Sequence, residues 1–98
     1  MSLKKDKQKV LGEHFDDDRI RTFFDYEPYD ETNPDYHVLE KAYRGMIAEN
    51  FTTFVSFFKE QGRDINARNL QGKTFLQTIS SHTQSKEYID VLTDAGAQ

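Results

Sequence analysis

Residues 62–76 read Gly62-Arg63-Asp64-Ile65-Asn66-Ala67-Arg68-Asn69-Leu70-Gln71-Gly72-Lys73-Thr74-Phe75-Leu76. Most of these residues tolerate turn geometry, and Ile65 can anchor the turn in a core. Gly72 permits a positive φ at the tip, Thr74 can cap a following helix, and Leu76 can lie in a seam between helices. The stretch therefore predicts a projecting turn followed by a helix.

Upstream of this turn, apolar residues recur at intervals of three and four and predict a pair of helices. The first, near residues 36–48, begins after Asn33, whose side chain can cap it beside a proline. Asn50 is the predicted cap of the second helix, near residues 51–60, and Gly62 can end that helix. The two helices form one predicted hairpin.

Downstream of the turn, the pattern predicts a second hairpin that repeats the first. Thr74 begins its short first helix, and Gly96 follows its last helix. A shift of about 33 or 34 residues superimposes the apolar positions of the two hairpins, a period typical of stacked helical repeats. Tyr43 and Met46 fall on Leu76 and Ile79, while Val55, Phe57, Phe58 and Gly62 fall on Ile89, Val91, Leu92 and Gly96.

The sequence 62–76 resembles the ankyrin junction G-A-D-V-N-A-x-x-x-x-G-x-T-P-L, and the ending 91–97 resembles the ankyrin ending L-L-x-x-A-G-A. The resemblance covers residues 37–98 and implies two repeats, the first of them degenerate because it lacks the Gly-x-Thr-x-Leu element. Phe75 and Gln77 stand where the family has Pro and His, so the hydrogen bonds of that histidine are changed. The whole chain also resembles a group of short uncharacterised proteobacterial proteins, which implies a bacterial protein without implying a function.

The N-terminal third differs from the repeats in charge. Residues 36–98 carry seven acidic and seven basic side chains, so the net charge of -4 arises upstream. Residues 1–15 have no sustained apolar period, which predicts a flexible, disordered tail. Residues 16–24 predict a short helix, and the proline-containing acidic connector, residues 25–35, predicts an irregular segment.

These segments predict an all-α fold with a single helical domain over residues 16–98. The first repeat covers 36–68 and the second 69–98. Because two repeats leave hydrophobic faces open, we expect the N-terminal helix to cap the first hairpin. The side chains expected to fold back onto it are Ile20, Phe23, Phe24, Tyr26, Tyr29 and Tyr36.

Composition excludes several classes of protein. The chain has 98 residues, eight Phe and five Tyr, but no Cys and no Trp, so disulfide scaffolds and thiol chemistry are excluded. The lysine-rich first residues are not followed by an apolar run that could form a signal peptide or a membrane span. We expect a cytoplasmic, monomeric protein without a membrane partner.

Motifs for catalysis or cofactors are not found in the sequence. His14, His37 and His82 are too far apart for a recognisable metal site, and Ser80-Ser81-His82 has no nucleophile elbow or oxyanion element. The carboxylates of residues 16–18 have no predicted burial that would shift a pKa for acid–base work. We expect no enzyme activity, no catalytic residue, no metal and no cofactor.

Two interpretations of function follow. The first is a protein-interaction module for a partner of unknown identity, because ankyrin-like proteins bind partners through turn tips and inner helices. Its contact residues would be Arg68, Asn69, Leu70, Gln71, Lys73, Arg44 and Gln77.

The second interpretation is an adaptor whose acidic aromatic segment, residues 25–36, binds a basic protein such as a nucleic-acid-binding or ribosomal component. Direct nucleic-acid binding by this segment is disfavoured, since phosphate contacts need Lys and Arg. The contact residues would be Tyr26, Glu27, Tyr29, Asp30 and Glu31.

Overall fold

Helices form the regular structure of the chain in a computed structural model, which describes residues 14–82 and 85–98. These residues form five α-helices: α1 (Asp17–Arg21), which a 3-10 helix (Thr22–Asp25) continues, α2 (Pro34–Gly45), α3 (Ala48–Glu60), α4 (Phe75–Ile79) and α5 (Lys86–Asp94). Within those residues no strand forms, and the one β-type pairing is an isolated antiparallel bridge between Arg68 and Thr74. The predicted all-α class is confirmed. The predicted tail lies mostly outside the described residues.

The helices of the first hairpin lie close to their predicted positions. Asn33 caps α2, with its side chain accepting a hydrogen bond from the Asp35 amide at 2.8 Å. Gly62 adopts a φ of 75° two residues after α3 ends, in the left-handed region that favours glycine. The capping prediction for Asn50 is wrong, because α3 begins at Ala48, before it, and Asn50 is buried inside the helix, where its Oδ1 accepts from the Phe15 amide at 3.2 Å.

The second hairpin begins as the sequence predicts. Thr74 caps α4 through a reciprocal pair of hydrogen bonds: its hydroxyl accepts from the Gln77 amide, and the Gln77 side chain accepts from the Thr74 amide. This capping box satisfies two backbone donors that a helix start leaves open. The Thr74 hydroxyl also donates to the Gln98 carbonyl at 2.7 Å, which ties the start of α4 to the segment after α5.

The core is centred on the aromatic face of α3. Phe51, Phe54 and Phe58 are fully buried on this face, because their spacing of three and four residues places them on one side of the helix. Burying each of these side chains contributes about 1.5–3 kcal/mol relative to leaving it exposed. The same core includes Ile79 and Leu92 of the second hairpin, so the described residues share one hydrophobic core.

The N-terminal segment covers the first hairpin, as predicted, but with a different set of side chains. Ile20 is buried and Phe24 stacks on Phe54 with ring centroids 4.5 Å apart. Phe15 is 8% exposed and stacks on Phe23, so it belongs to the core and not to the predicted tail. Tyr29 takes no part in this cover, since its side chain is fully exposed.

Close approach between this segment and α2 depends on a glycine. A Cβ built at Gly45 would lie 2.8 Å from the ring of Phe23, which is inside van der Waals contact. The absence of a side chain at Gly45 therefore lets the Phe23 ring pack against the end of α2.

Tyrosines join the two hairpins. Tyr36 and Tyr43 both pack edge-to-face on the ring of Phe75, with ring centroids 5.6 and 5.4 Å apart. Tyr88 of α5 packs edge-to-face on Tyr43 and donates a 2.7 Å hydrogen bond to the Met46 carbonyl. Burial, followed by the nearby Tyr43 and Glu87, raises the pKa of Tyr88 above its ordinary value. Tyr36 thus contacts the second hairpin, whereas the sequence assigned it to the cover of the first.

Candidate interaction surface

The turn tip, residues 68–73, is held in one conformation by its own hydrogen bonds. Oδ1 of Asn69 accepts from the backbone amides of Gln71 and Lys73, at 2.9 and 3.0 Å. The Asn69 amide donates to the Lys73 carbonyl at 2.8 Å, and Gly72 has a φ of 82°, as the sequence predicts. The Arg68 guanidinium donates to the Gly72 carbonyl at 2.6 Å. Asx turns of this type fix a loop without a hydrophobic core of its own.

A side-chain network connects the tip to both hairpins. Nδ2 of Asn69 donates to the Tyr36 hydroxyl at 3.1 Å, and that hydroxyl shares a 2.8 Å hydrogen bond with Oγ1 of Thr78. Asn69, one of the predicted contact residues, therefore has both ends of its amide engaged within the fold. In this structure it positions the tip, and its side chain offers little for a partner.

The remaining predicted tip residues face solvent. Leu70 is 60% exposed, and Arg68, Gln71 and Lys73 are also exposed. Leu70 is notable because an aliphatic side chain gains nothing from this exposure in the isolated protein. These four side chains form a rigidly supported, accessible edge.

Arg44 and Gln77, the predicted contact residues outside the tip, are both exposed. Arg44 lies 3.1 Å from the Glu40 carboxylate in an i,i+4 pair on α2. The Oε1 atom of Gln77 is used by the α4 capping box, so only the rest of its amide is available. Neither residue lines the groove beside the tip.

That groove, the tip groove, has a volume of about 330 Å³ and separates the tip from the acidic connector. Side chains from both hairpins and from the connector contribute to its walls. They are Asp30, Thr32, Tyr36, Glu40, Asn69, Leu70, Gln71 and Thr78. The sequence did not single out Thr32, Glu40 or Thr78 as site residues, although Tyr36 and Glu40 lie one helical turn apart, a spacing that places them on one face of α2.

The second predicted set of contact residues is divided between two places. Tyr26 is 47% exposed, with Nζ of Lys41 5.2 Å from its ring centroid. Glu27 and Tyr26 line a separate cavity of about 380 Å³, together with Phe24, Pro28, Pro34 and Arg63. Tyr29 and Glu31 are exposed. Asp30 alone of this set reaches the tip groove, so the structure brings one residue of the second set beside the first.

Asp30 also shapes the connector. Its carboxylate accepts a hydrogen bond from the Thr32 amide at 2.9 Å. Hydrogen bonds from the Thr32 side chain and backbone lower the pKa of Asp30 below its ordinary value. Hydrogen bonding favours the charged form of a carboxyl group that is already ionised at neutral pH, so Asp30 carries a negative charge there.

The other polar groups that the sequence raised lie apart from this groove. His14 is 3.2 Å from Glu49 in an exposed pair, and Nδ1 of His82 is 3.0 Å from the Tyr43 hydroxyl. Over residues 14–82 and 85–98, no group of three or more His, Cys, Asp or Glu side chains could hold a metal ion. The same part of the chain contains no helix with both the length and the apolar character to cross a bilayer.

Comparisons with known proteins give no match for this chain: no family model fits it, and no curated protein or solved structure is significantly similar to it.

Proposed function

We propose that the chain is a small non-enzymatic module, built on two ankyrin-like repeats, that binds a protein partner through the turn tip and inner helices. The observation that carries this proposal is the exposure of Leu70, 60%, on a tip whose backbone is held by the Asn69 side chain. A rigid support lowers the entropy lost on binding, so exposed side chains on it are well suited to recognition.

The geometry of the turns supports ankyrin-like stacking as part of this proposal. Gly62 and Gly96 lie 34 residues apart, at corresponding positions of the two hairpins, and have φ values of 75° and 97°. Asn66 links the corresponding turns: its Oδ1 accepts from the Gln98 amide at 2.7 Å, and its Nδ2 donates to the Gly96 carbonyl at 3.4 Å. Side-chain bonds between successive turns hold neighbouring repeats in register.

Affinity capture from a bacterial lysate tests the binding surface. The test variant combines Arg68→Ala, Leu70→Ser and Gln71→Ala. The control combines Ser56→Ala, Lys86→Ala and Thr93→Ser, three exposed positions on α3 and α5. The proposal predicts a partner protein that the intact chain and the control retain and that the tip variant loses. Equal retention by the tip variant and the control would contradict it.

A second candidate function is an adaptor that binds a basic protein through the acidic aromatic segment 25–36. The full exposure of Tyr29 and the 47% exposure of Tyr26 favour it, because exposed tyrosines are common contact residues at interfaces. Replacing Tyr29 by Ala together with Glu27 and Glu31 by Gln should then release the partner. The tip variant would still bind this partner, and added salt would weaken the binding steeply.

Under either function we propose a cytoplasmic protein that acts as a monomer, without direct nucleic-acid or membrane binding. Size-exclusion chromatography with light scattering tests the monomer, and a mass of twice that of the chain would overturn it.

A further inference from the structure

The tip groove has walls from four segments of the chain, the connector, α2, the turn tip and, through Thr78, α4. The connector supplies Asp30 and Thr32, α2 supplies Tyr36 and Glu40, and the turn tip supplies Leu70. Residues from distant parts of the sequence meet there because the Tyr36 hydroxyl bonds both Asn69 and Thr78. The α2, tip and α4 walls of the groove are therefore held together within the packed domain.

The charge of the lining is of one sign. Among the described residues that line the groove, Asp30 and Glu40 are the two carboxylates, and none is a Lys or an Arg. The Thr32 hydrogen bonds favour the charged form of Asp30 and lower its pKa. The pairing of Glu40 with Arg44 is a surface pair, with the Arg44 side chain 73% exposed, and such pairs are weak enough to be exchanged for another cation.

The lining also has an apolar side chain that is mostly exposed, Leu70. Three large hydrophobic side chains are exposed in the described part of the chain, Tyr26, Tyr29 and Leu70, and only Leu70 lines this groove. Its neighbour there, Gln71, carries an exposed amide group that suits the N–H and C=O groups of a peptide, whereas the Thr78 hydroxyl is engaged within the fold. A free small cation would leave Leu70 without a contact.

We propose, building on the protein-interaction function above, that the tip groove binds an extended peptide segment of the partner. An arginine or lysine of that segment lies between Asp30 and Glu40, and an apolar side chain beside it packs on Leu70. The carboxylates attract the basic residue, Leu70 requires the apolar one, and the same carboxylates repel the phosphates of a nucleic acid.

A selection with random peptides tests this occupant. Short peptides displayed on phage are selected on the immobilised full-length chain at low salt, and the enriched sequences are synthesised with a fluorescent label. The proposal predicts enrichment of Arg or Lys next to an apolar residue. Enrichment of acidic or purely apolar sequences, or no enrichment at all, overturns it.

Two charge-matched variants then locate the binding. Asp30→Asn with Glu40→Gln removes the carboxylates of the groove, and Glu87→Gln with Asp94→Asn removes two exposed carboxylates of α5, so both variants have the same net charge. In the variant with Asp30→Asn and Glu40→Gln, the loss of charged partners should lower the affinity for the selected peptide by about tenfold or more. The α5 variant should change affinity by less than about twofold. Equal weakening in both variants overturns the proposal, because it indicates attraction by net charge alone.

Leu70→Ala separates this proposal from the function on which it rests. The groove proposal predicts that Leu70→Ala lowers the affinity for the selected basic peptide. An unchanged affinity overturns the proposal. If acidic or apolar peptides are selected and Leu70→Ala weakens them, the basic occupant is wrong while the tip remains a binding surface. If the tip variant retains the natural partner in the capture experiment, the proposed function itself fails.

Discussion

The two hairpins have similar topology but different sources of order. In the first, α2 and α3 have 12 and 13 residues, and α3 buries three phenylalanines. In the second, α4 and α5 have 5 and 9 residues, lengths at which isolated helices are marginal. The first hairpin is long enough to make most of the core, whereas the second depends on caps and on contacts with the first.

The residues that stabilise the fold are therefore different from those that are exposed for binding. The turn that carries the exposed tip connects the two hairpins, and its order comes from hydrogen bonds such as those of Asn69 and not from burial of Leu70. An exposed tip side chain such as Leu70 can therefore change without loss of the fold, while the buried phenylalanines of α3 cannot. Substitutions in the α3 core should therefore lower the free energy of unfolding more than substitutions at the tip.

The largest effect is expected in the first hairpin. Phe54→Ala removes a fully buried ring that contacts Phe24, Phe51 and Phe58. The free energy of unfolding should fall by about 3–5 kcal/mol, since a buried ring is lost and a cavity remains. Urea denaturation followed by circular dichroism measures it. A loss below about 1 kcal/mol would mean that the core is not where we place it.

A smaller effect is expected at the cap of the second hairpin. Thr74→Ala removes the side-chain acceptor for the Gln77 amide and the donor to the Gln98 carbonyl. We expect a loss of about 1–2 kcal/mol, with Thr93→Ala, an exposed threonine of α5, as the control. If both threonine variants have the same stability, the second hairpin does not depend on its cap.

The contact between the hairpins is tested by Tyr88→Phe. This change removes the hydrogen bond to the Met46 carbonyl and should cost about 0.5–1.5 kcal/mol at neutral pH. Because folding raises the pKa of Tyr88, its contribution is complete below about pH 10, the pKa of an unfolded tyrosine, and is lost as the pH rises through the folded pKa. Denaturation at several alkaline pH values should show this loss in the wild type and less of it in Tyr88→Phe. Identical pH dependence would contradict the assignment.

The smallest effect on stability is expected at the tip. Leu70→Ser should change the free energy of unfolding by no more than about 0.5 kcal/mol, because the side chain is 60% exposed. Partner binding should nevertheless be weakened. A large loss of stability would contradict this expectation, because it would show that Leu70 is part of the core in solution.

Local sequence signals predicted much of the fold. The helical spacing located α2, α3 and α5, and short-range rules predicted Asn33 and Thr74 as caps and the positive φ of Gly72. These features depend on neighbours within a few residues, which a single sequence contains.

Features that depend on distant residues were not predicted. Asn50 reads as a cap in sequence, but it accepts from Phe15, 35 residues away. Asn69 reads as a contact residue, but it bonds Tyr36, 33 residues away. The tip groove arises in the same manner, because no local pattern indicates that Asp30 lies beside Leu70.

Site-specific photo-crosslinking shows whether a partner protein contacts the turn tip. A photo-crosslinking amino acid replaces Leu70 in one sample and Thr52, an exposed residue of α3, in a matched control, and each sample is irradiated in cells. We predict a specific protein adduct from position 70 and none from position 52. An adduct from position 52 alone, or the same adducts from both positions, would contradict binding at the tip.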